Sequence, residues 1–272
     1  MFFRHGISIN CDRKRVLEVQ LFFAACRKKL FGPIMYVCVI FVFHTLFLVL
    51  AQGSRLPDPN ILGTILGRDA KFFQPSFLQQ EVLYLSGTRV SKQTQIARKS
   101  LFTHADLHTI FPEAVRKTPP AFQFVLEDEA VNWYQDDDFS IDESLEKYYN
   151  AGHTLLLQAV ESFHPRLKSL KCQLEAELLA SVGFNVYWTP PNARGFKIHH
   201  DGHDVMVIQT AGSKCWLVCP KTAKTDTLSS DSFHYNINEP DIASSHLNVS
   251  CRNITLSAGD ILYLPRGVLH SP

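Results

Sequence analysis

Two stretches decide how this chain folds: KIHHDGHD, Lys197–Asp204, and GDILYLPRGVLH, Gly259–His270. Along extended backbone, residues two apart point to one side, so a strand through the first stretch presents His199 and Asp201 together and turns His200 away. The second stretch reads as a turn, an apolar strand, a rigid Pro265-Arg266-Gly267 turn and then His270. That is how a barrel returns a third ligand to the first two. Two imidazoles and one carboxylate cover one face of an octahedral metal and leave the opposite positions open, the arrangement of non-heme Fe(II) oxygenases. His199, Asp201 and His270 are therefore the candidate metal ligands, for iron(II) rather than zinc. His203 shares the strand face of His199, but four residues at about 3.3 Å each carry it roughly 13 Å away. It is placed beside the metal or the substrate rather than among the ligands.

A bare His-x-Asp tripeptide arises by chance, and a lone strand histidine is more often a satisfied or surface residue. Here the tripeptide has an ordered partner downstream. The segment FNVYWTPPNARGFKIHHDGHDVMVIQTAGSKCWLV, followed by GDILYLPRGVLH, resembles the JmjC-domain ribosomal oxygenases, Fe(II)- and 2-oxoglutarate-dependent protein histidyl hydroxylases of which some are also described as lysine demethylases. The likeness is strong from about residue 150 onward and weaker around LFTHADLHTIF. It implies a mainly β fold with flanking helices (α+β), a double-stranded β-helix of the jelly-roll, cupin-like kind. It also implies Fe(II) on His199, Asp201 and His270, and 2-oxoglutarate held by Asn185, Tyr187 and Lys214. Chemistry supports the last assignment: a dicarboxylate gripped by the metal at one end needs a cation at the other, and lysine is a compact point charge. Asn185 and Tyr187 offer an amide and a phenol from one strand face. Each of these three residues taken alone would read as surface, turn or core.

The family continues past its third metal ligand through a further barrel strand, a helical dimerisation region and a winged-helix-like module, whereas this chain stops at Pro272. The expectation is a C-terminally truncated barrel with its last strand or strands missing, an exposed edge, and no homodimerisation region. The implied partner is a protein substrate, ribosomal protein or histone. With 272 residues, 46% of them hydrophobic, 19% charged and a formal net charge of +1, the chain has ample core and no polyanion-binding signature. It shows no nucleic-acid motif of interleaved basic and aromatic residues.

Three parts are expected: residues 1–52 as a basic and apolar leader, 53–152 as the N-terminal helix and strand portion of the catalytic unit, and 153–272 as the barrel. Within the leader, IMYVCVIFVFHTLFLVLA (34–51) carries no formal charge and follows Arg27, Lys28 and Lys29. That pattern suits a signal peptide or membrane anchor. Localisation is thus drawn two ways, to the nucleus or nucleolus by family and to the secretory route or membrane by the leader. On the second route Asn248 and Asn253 would be glycosylation acceptors in a surface loop, and Cys172, Cys215, Cys219 and Cys251 could pair. Between leader and barrel, SFLQQEVLYL and THADLHTIF read as helices, FQFVL as a strand, and the acidic residues of 127–129 and 136–138 as solvated surface. The segment LLLQAVESFHPRLKSLKCQLEAELLASVG reads as helix broken at Pro165 and ending at a glycine. The leading functional reading is a dioxygenase hydroxylating a protein side chain. The alternatives are an inactive JmjC fold serving as a binding module, and an unrelated metal-binding cupin.

Overall fold

The computed structural model describes residues 16–25, 60–73, 80–117, 119–127, 129–131, 140–193, 195–220 and 251–272. Its centre is β1 (Val16–Ala25), a strand whose sequence alternates apolar and polar from Leu17 to Leu21. Leu17, Val19 and Leu21 point to one side and are buried in the larger core. Glu18 is fully buried on the other side. A half-buried antiparallel strand has this period of two.

Around β1 runs an eight-stranded antiparallel sheet in the order β2-β10-β7-β1-β6-β5-β3-β4. Its other members are β2 (Leu83–Leu85), β3 (Phe122–Leu126), β4 (Glu129–Ala130), β5 (Thr154–Leu157), β6 (Ala180–Thr189), β7 (Asp204–Ala211) and β10 (Ile261–Leu264). A second sheet, in the order β11-β8-β9, consists of β8 (Ser213–Cys219), β9 (Arg252–Ser257) and β11 (Leu269–Ser271). The helices are α1 (Ile61–Leu66), α2 (Lys92–Lys99), α3 (His104–Val115), α4 (Ile141–Asn150) and α5 (Pro165–Leu178), and all but α2 contribute buried residues to the larger core. Leu66, Leu107, Phe111, Leu145, Leu167 and Leu174 meet the sheet there. The smaller core lies between the two sheets, where Val205, Val207, Leu262 and Leu264 face Trp216, Val218 and Leu256. This is the mainly β, helix-flanked jelly roll that the sequence implies.

The departures have local causes. Residues 16–25, grouped with the leader by sequence, pair with β6 from Val16↔Thr189 to Ala25↔Ala180 and with β7 on the other side. The apolar run 34–51 lies outside the described residues. Among the described residues no helix is long and apolar enough to cross a membrane. Leu155–Leu157 belong to strand β5, and Pro165 opens α5 at its first turn instead of breaking it, since proline's missing N–H costs nothing there. Helix α5 ends on Leu179 in the left-handed conformation (φ 52), not on a glycine. Of SFLQQEVLYL, Leu83–Leu85 is a strand, and residues 76–79 lie outside the described residues. THADLHTIF does begin a helix, closed at its start by a reciprocal Thr103–Asp106 capping box, and FQFVL is a strand.

Of the four cysteines after the apolar run, Cys219 and Cys251 are bonded across a sequence separation of 32, Cys172 is an exposed thiol, and Cys215 Sγ lies 3.5 Å from Thr255 Oγ1. Asn253 is exposed as expected, but on strand β9 rather than in a loop. Asn248 and Asp136–Asp138 lie outside the described residues.

Two outcomes test this architecture. Leu21→Ala, which hollows the face β1 turns to the larger core, is expected to cost about 2–5 kcal/mol in urea denaturation. A loss below about 0.5 kcal/mol, the scale of a surface substitution, would place β1 outside the fold. Reducing the Cys219–Cys251 bond is expected to remove roughly 3–4 kcal/mol, the loop-closure value for this separation, and to lower the thermal midpoint. An unchanged midpoint would mean that the bond closes no otherwise free loop.

Candidate metal centre

His199 and His270 meet at an isolated antiparallel bridge. The His199 N–H donates to the His270 carbonyl at 2.9 Å, and the His270 N–H returns to the His199 carbonyl at 2.8 Å. The turn read from Pro265-Arg266-Gly267 sets this register. The Gly267 N–H donates to the Asp201 carbonyl at 3.0 Å, and the Arg266 N–H donates to Asp204 Oδ1 at 2.8 Å. Gly267 has φ +80, in the region that favours glycine. The turn is therefore stitched to the loop carrying the first two candidate ligands.

Donor atoms of His199, Asp201 and His270 lie within 4.8 Å of one another. His199 Nδ1 lies 2.7 Å from the Lys197 carbonyl, and His270 Nδ1 lies 2.9 Å from the Val268 carbonyl. A carbonyl can only accept, so each Nδ1 carries the proton and each Nε2 keeps a free lone pair. This is the outer-shell arrangement that orients metal-binding imidazoles. Asp201 Oδ2 is 3.3 Å from His270 Nε2, and both side chains are buried. Burial by itself would raise the Asp201 carboxyl, but when the imidazoles are protonated the His270 hydrogen bond and the charges of His270, His199 and His203 outweigh it. The carboxyl is held well below the usual range and stays an anion. The donor set fits a divalent cation with an open side.

The route differs from the expected strand. Only His199 pairs within 195–203, and β7 begins at Asp204, so the estimate of roughly 13 Å to His203, built on about 3.3 Å per strand residue, does not apply. His203 lines the same cavity as the three donors, its ring edge-on to Phe22 at 5.0 Å. Burial pulls its pKa below the ordinary histidine value, Asp201 opposes this, and His270 adds to it. It stays outside the close cluster, as the sequence placed it. His200 does not line the cavity.

The cavity holds about 250 Å³, below the roughly 300–1,000 Å³ usual for drug-sized ligands and so scaled to a small metabolite. Asn185 and Tyr187 line it as expected, together with Trp216, Gln20 and Phe22. Asn185 Oδ1 accepts from the Ala159 N–H at 3.2 Å, which fixes the orientation of its amide. Gly183, opposite Phe22 on β6, leaves room for that ring, since a Cβ would come within 2.3 Å of it.

Lys214 is the expected site residue that the structure places otherwise. Its Nζ donates to Glu18 Oε1 at 3.0 Å and to Thr189 Oγ1 at 3.4 Å, and it does not line the cavity. The ammonium stands behind the wall, 6.0 Å from the Tyr187 ring centroid and 5.6 Å from that of Trp216. Glu18, Gln20 and Phe22 were missed because they were read as leader. The alternation Leu17-Glu18-Val19-Gln20-Leu21 was the available signal.

Residues 156–272 match the JmjC domain family. This part of the chain is similar to the JmjC domain. Relatives include the bifunctional lysine-specific demethylase and histidyl-hydroxylase NO66 of Dictyostelium discoideum, 33% identical over 124 residues that make up 46% of this chain and 23% of that protein. Human ribosomal oxygenase 1 is 32% identical over 122 residues, 45% of this chain and 18% of that protein. The chain thus spans about a fifth of the length of these relatives. Among solved structures, the Escherichia coli ribosomal oxygenase YcfD in complex with cobalt and 2-oxoglutarate aligns with a TM-score of 0.42 and 17% identity, over 74% of this chain and 46% of that one.

Substituting Asp201→Ala is expected to weaken Mn(II) binding at least about a hundredfold, more than the 10–100-fold typical of losing an outer-shell partner. Electron paramagnetic resonance of the free ion would read this. Equal affinity in the variant would show that the ion binds elsewhere.

Proposed function

We propose that this chain is an Fe(II)- and 2-oxoglutarate-dependent oxygenase that hydroxylates a protein side chain. The observation that carries the reading is the convergence of His199, Asp201 and His270 with both Nδ1 atoms committed to backbone carbonyls. Two neutral imidazoles and one anion facing an open cavity are the donor set of a non-heme Fe(II) oxygenase. When bound, ferrous ion, 2-oxoglutarate and oxygen supply the oxidising power, with succinate and carbon dioxide released as the substrate C–H becomes C–OH. The chain's own residues hold and orient. His199, Asp201 and His270 fix the ion on one side, Asn185 and Tyr187 offer polar contacts along the wall, and Trp216 and Phe22 exclude water.

The substrate reading follows the relatives' names: a histidine of a ribosomal protein, with a histone lysine as the demethylase variant. It places the protein with nuclear or nucleolar partners, and homodimerisation, where it occurs, would involve residues beyond the matched segment. A membrane anchor or signal peptide over residues 34–51 stays a separate proposal. It is tested by whether expressed protein starts near residue 52 and carries glycan on Asn253.

A second reading, a JmjC fold that binds without turnover, is favoured by one observation: Lys214, the cation assigned to the co-substrate, is already paired with Glu18. Turnover separates the two. Anaerobic loading with Fe(II) and 2-oxoglutarate followed by oxygen is expected to release succinate, and His199→Ala is expected to abolish that release. Succinate absent from the wild-type chain, with Fe(II) bound, would favour the binding module.

A further inference from the structure

Glu18 lies with Lys214 behind the cavity wall, next to the wall residue Gln20, and no chemistry described above uses it. Its side chain is fully buried, and its partner Lys214 is 7% exposed. Oε1 takes both available donors, the Lys214 ammonium at 3.0 Å and the Gln20 amide at 3.2 Å. Oε2 is buried with no hydrogen-bond partner among the described residues. The pair is brought together by two strands whose residues are 196 apart in sequence. Glu18 stands opposite Tyr187, and Gln20 opposite Asn185, across the β1–β6 ladder.

Lysine has three N–H donors, so the number of hydrogen bonds does not limit what Lys214 can bind. Charge does. With Glu18 in place the buried ion pair is neutral, and a second carboxylate arriving beside it would bring an unpaired negative charge against groups that water does not reach. Burying an unpaired charge is strongly disfavoured. The far carboxylate of a 2-oxo dicarboxylate would meet a cation whose charge is already answered and the bare Oε2 of Glu18 next to it.

We propose that Glu18 is the residue that sets co-substrate specificity in this pocket: its carboxylate occupies Lys214 from behind the wall, so the pocket does not prefer a dicarboxylate over a 2-oxo acid that lacks the second carboxylate. This rests on the reading of the site as one for a 2-oxo acid beside a metal. Removing the Glu18 charge returns Lys214 to the incoming ligand and creates the preference.

The test is calorimetric binding, without oxygen, of 2-oxoglutarate and of 2-oxobutyrate to the full chain loaded with Mn(II). Wild-type protein is expected to bind the two acids within about threefold of each other. Glu18→Gln is expected to tighten 2-oxoglutarate at least about tenfold and leave 2-oxobutyrate unchanged, the scale of one charge-assisted hydrogen bond gained. Glu18→Asp keeps the charge but withdraws it by one methylene, and should move the ratio the same way by a smaller factor. It serves if the glutamine variant does not fold. A wild-type preference for 2-oxoglutarate of tenfold or more, unmoved by either variant, would overturn the proposal and leave the metal and 2-oxo acid reading standing. Failure of both acids to bind any of these proteins, with Mn(II) bound, would overturn that reading and the proposal with it.

Discussion

The structure depends on β1 being held between β6 and β7. Take it away and the large sheet parts into β2-β10-β7 and β6-β5-β3-β4, leaving two long edges with unpaired backbone donors and acceptors. Open edges of that length pair with other chains unless they are covered. With β1 in place both edges are bonded along most of their length, and Leu17, Val19 and Leu21 enter the larger core. Each such burial contributes roughly 1.5–3 kcal/mol.

The two halves of the site are mounted differently. The candidate metal ligands are fixed locally by the His199–His270 bridge, the Gly267 and Arg266 bonds into 201–204, and the carbonyls that hold each imidazole. None of these contacts involves β1. The cavity wall, by contrast, is shared among β1, β6 and β8, which contribute Gln20 and Phe22, Asn185 and Tyr187, and Trp216. A shift of β1 would disturb the co-substrate side directly and reach the donor cluster through β7, whose first residue, Asp204, stands opposite Phe23 and accepts from the Arg266 N–H.

What the sequence made legible follows the same division. The three donors and the turn that returns His270 are encoded by spacing within short segments, which sequence periodicity reads well, whereas Asn185 and Tyr187 are pointed to by the family resemblance alone. The strand expected through His199–Asp201 proved to be a loop, yet it delivered the same side chains because the bridge to His270 supplies the constraint that a strand would have. Pro165 misled because a proline inside an apolar run is compatible with breaking a helix or with starting one, and the strand of β5 just before it decides which. The role of β1 was hidden by its neighbours. A charged flank and an eighteen-residue apolar run gave residues 1–52 a collective character that masked the alternation at Leu17–Leu21. Lys214 stands behind the cavity wall because its partner sits on a strand 196 residues earlier, and no local pattern records such a pairing.

A buried ion pair of this kind needs a reason, because it is poor value as a stabiliser: apolar residues of similar volume often do as well or better. Register offers one. Side chains alternate along a strand, so a slip of β1 by one residue would turn Leu17, Val19 and Leu21 into the cavity and drive Glu18 into the apolar core, an arrangement far costlier than the lost pairing. Lys214 meets Glu18 only in the observed register, where Tyr187 and Asn185 also stand opposite β1. The pair thereby selects one alignment of a strand that closes the sheet from both sides. The same contact that pins the strand neutralises the cation beside the pocket, so the constraint on folding and the constraint on ligand charge are one interaction.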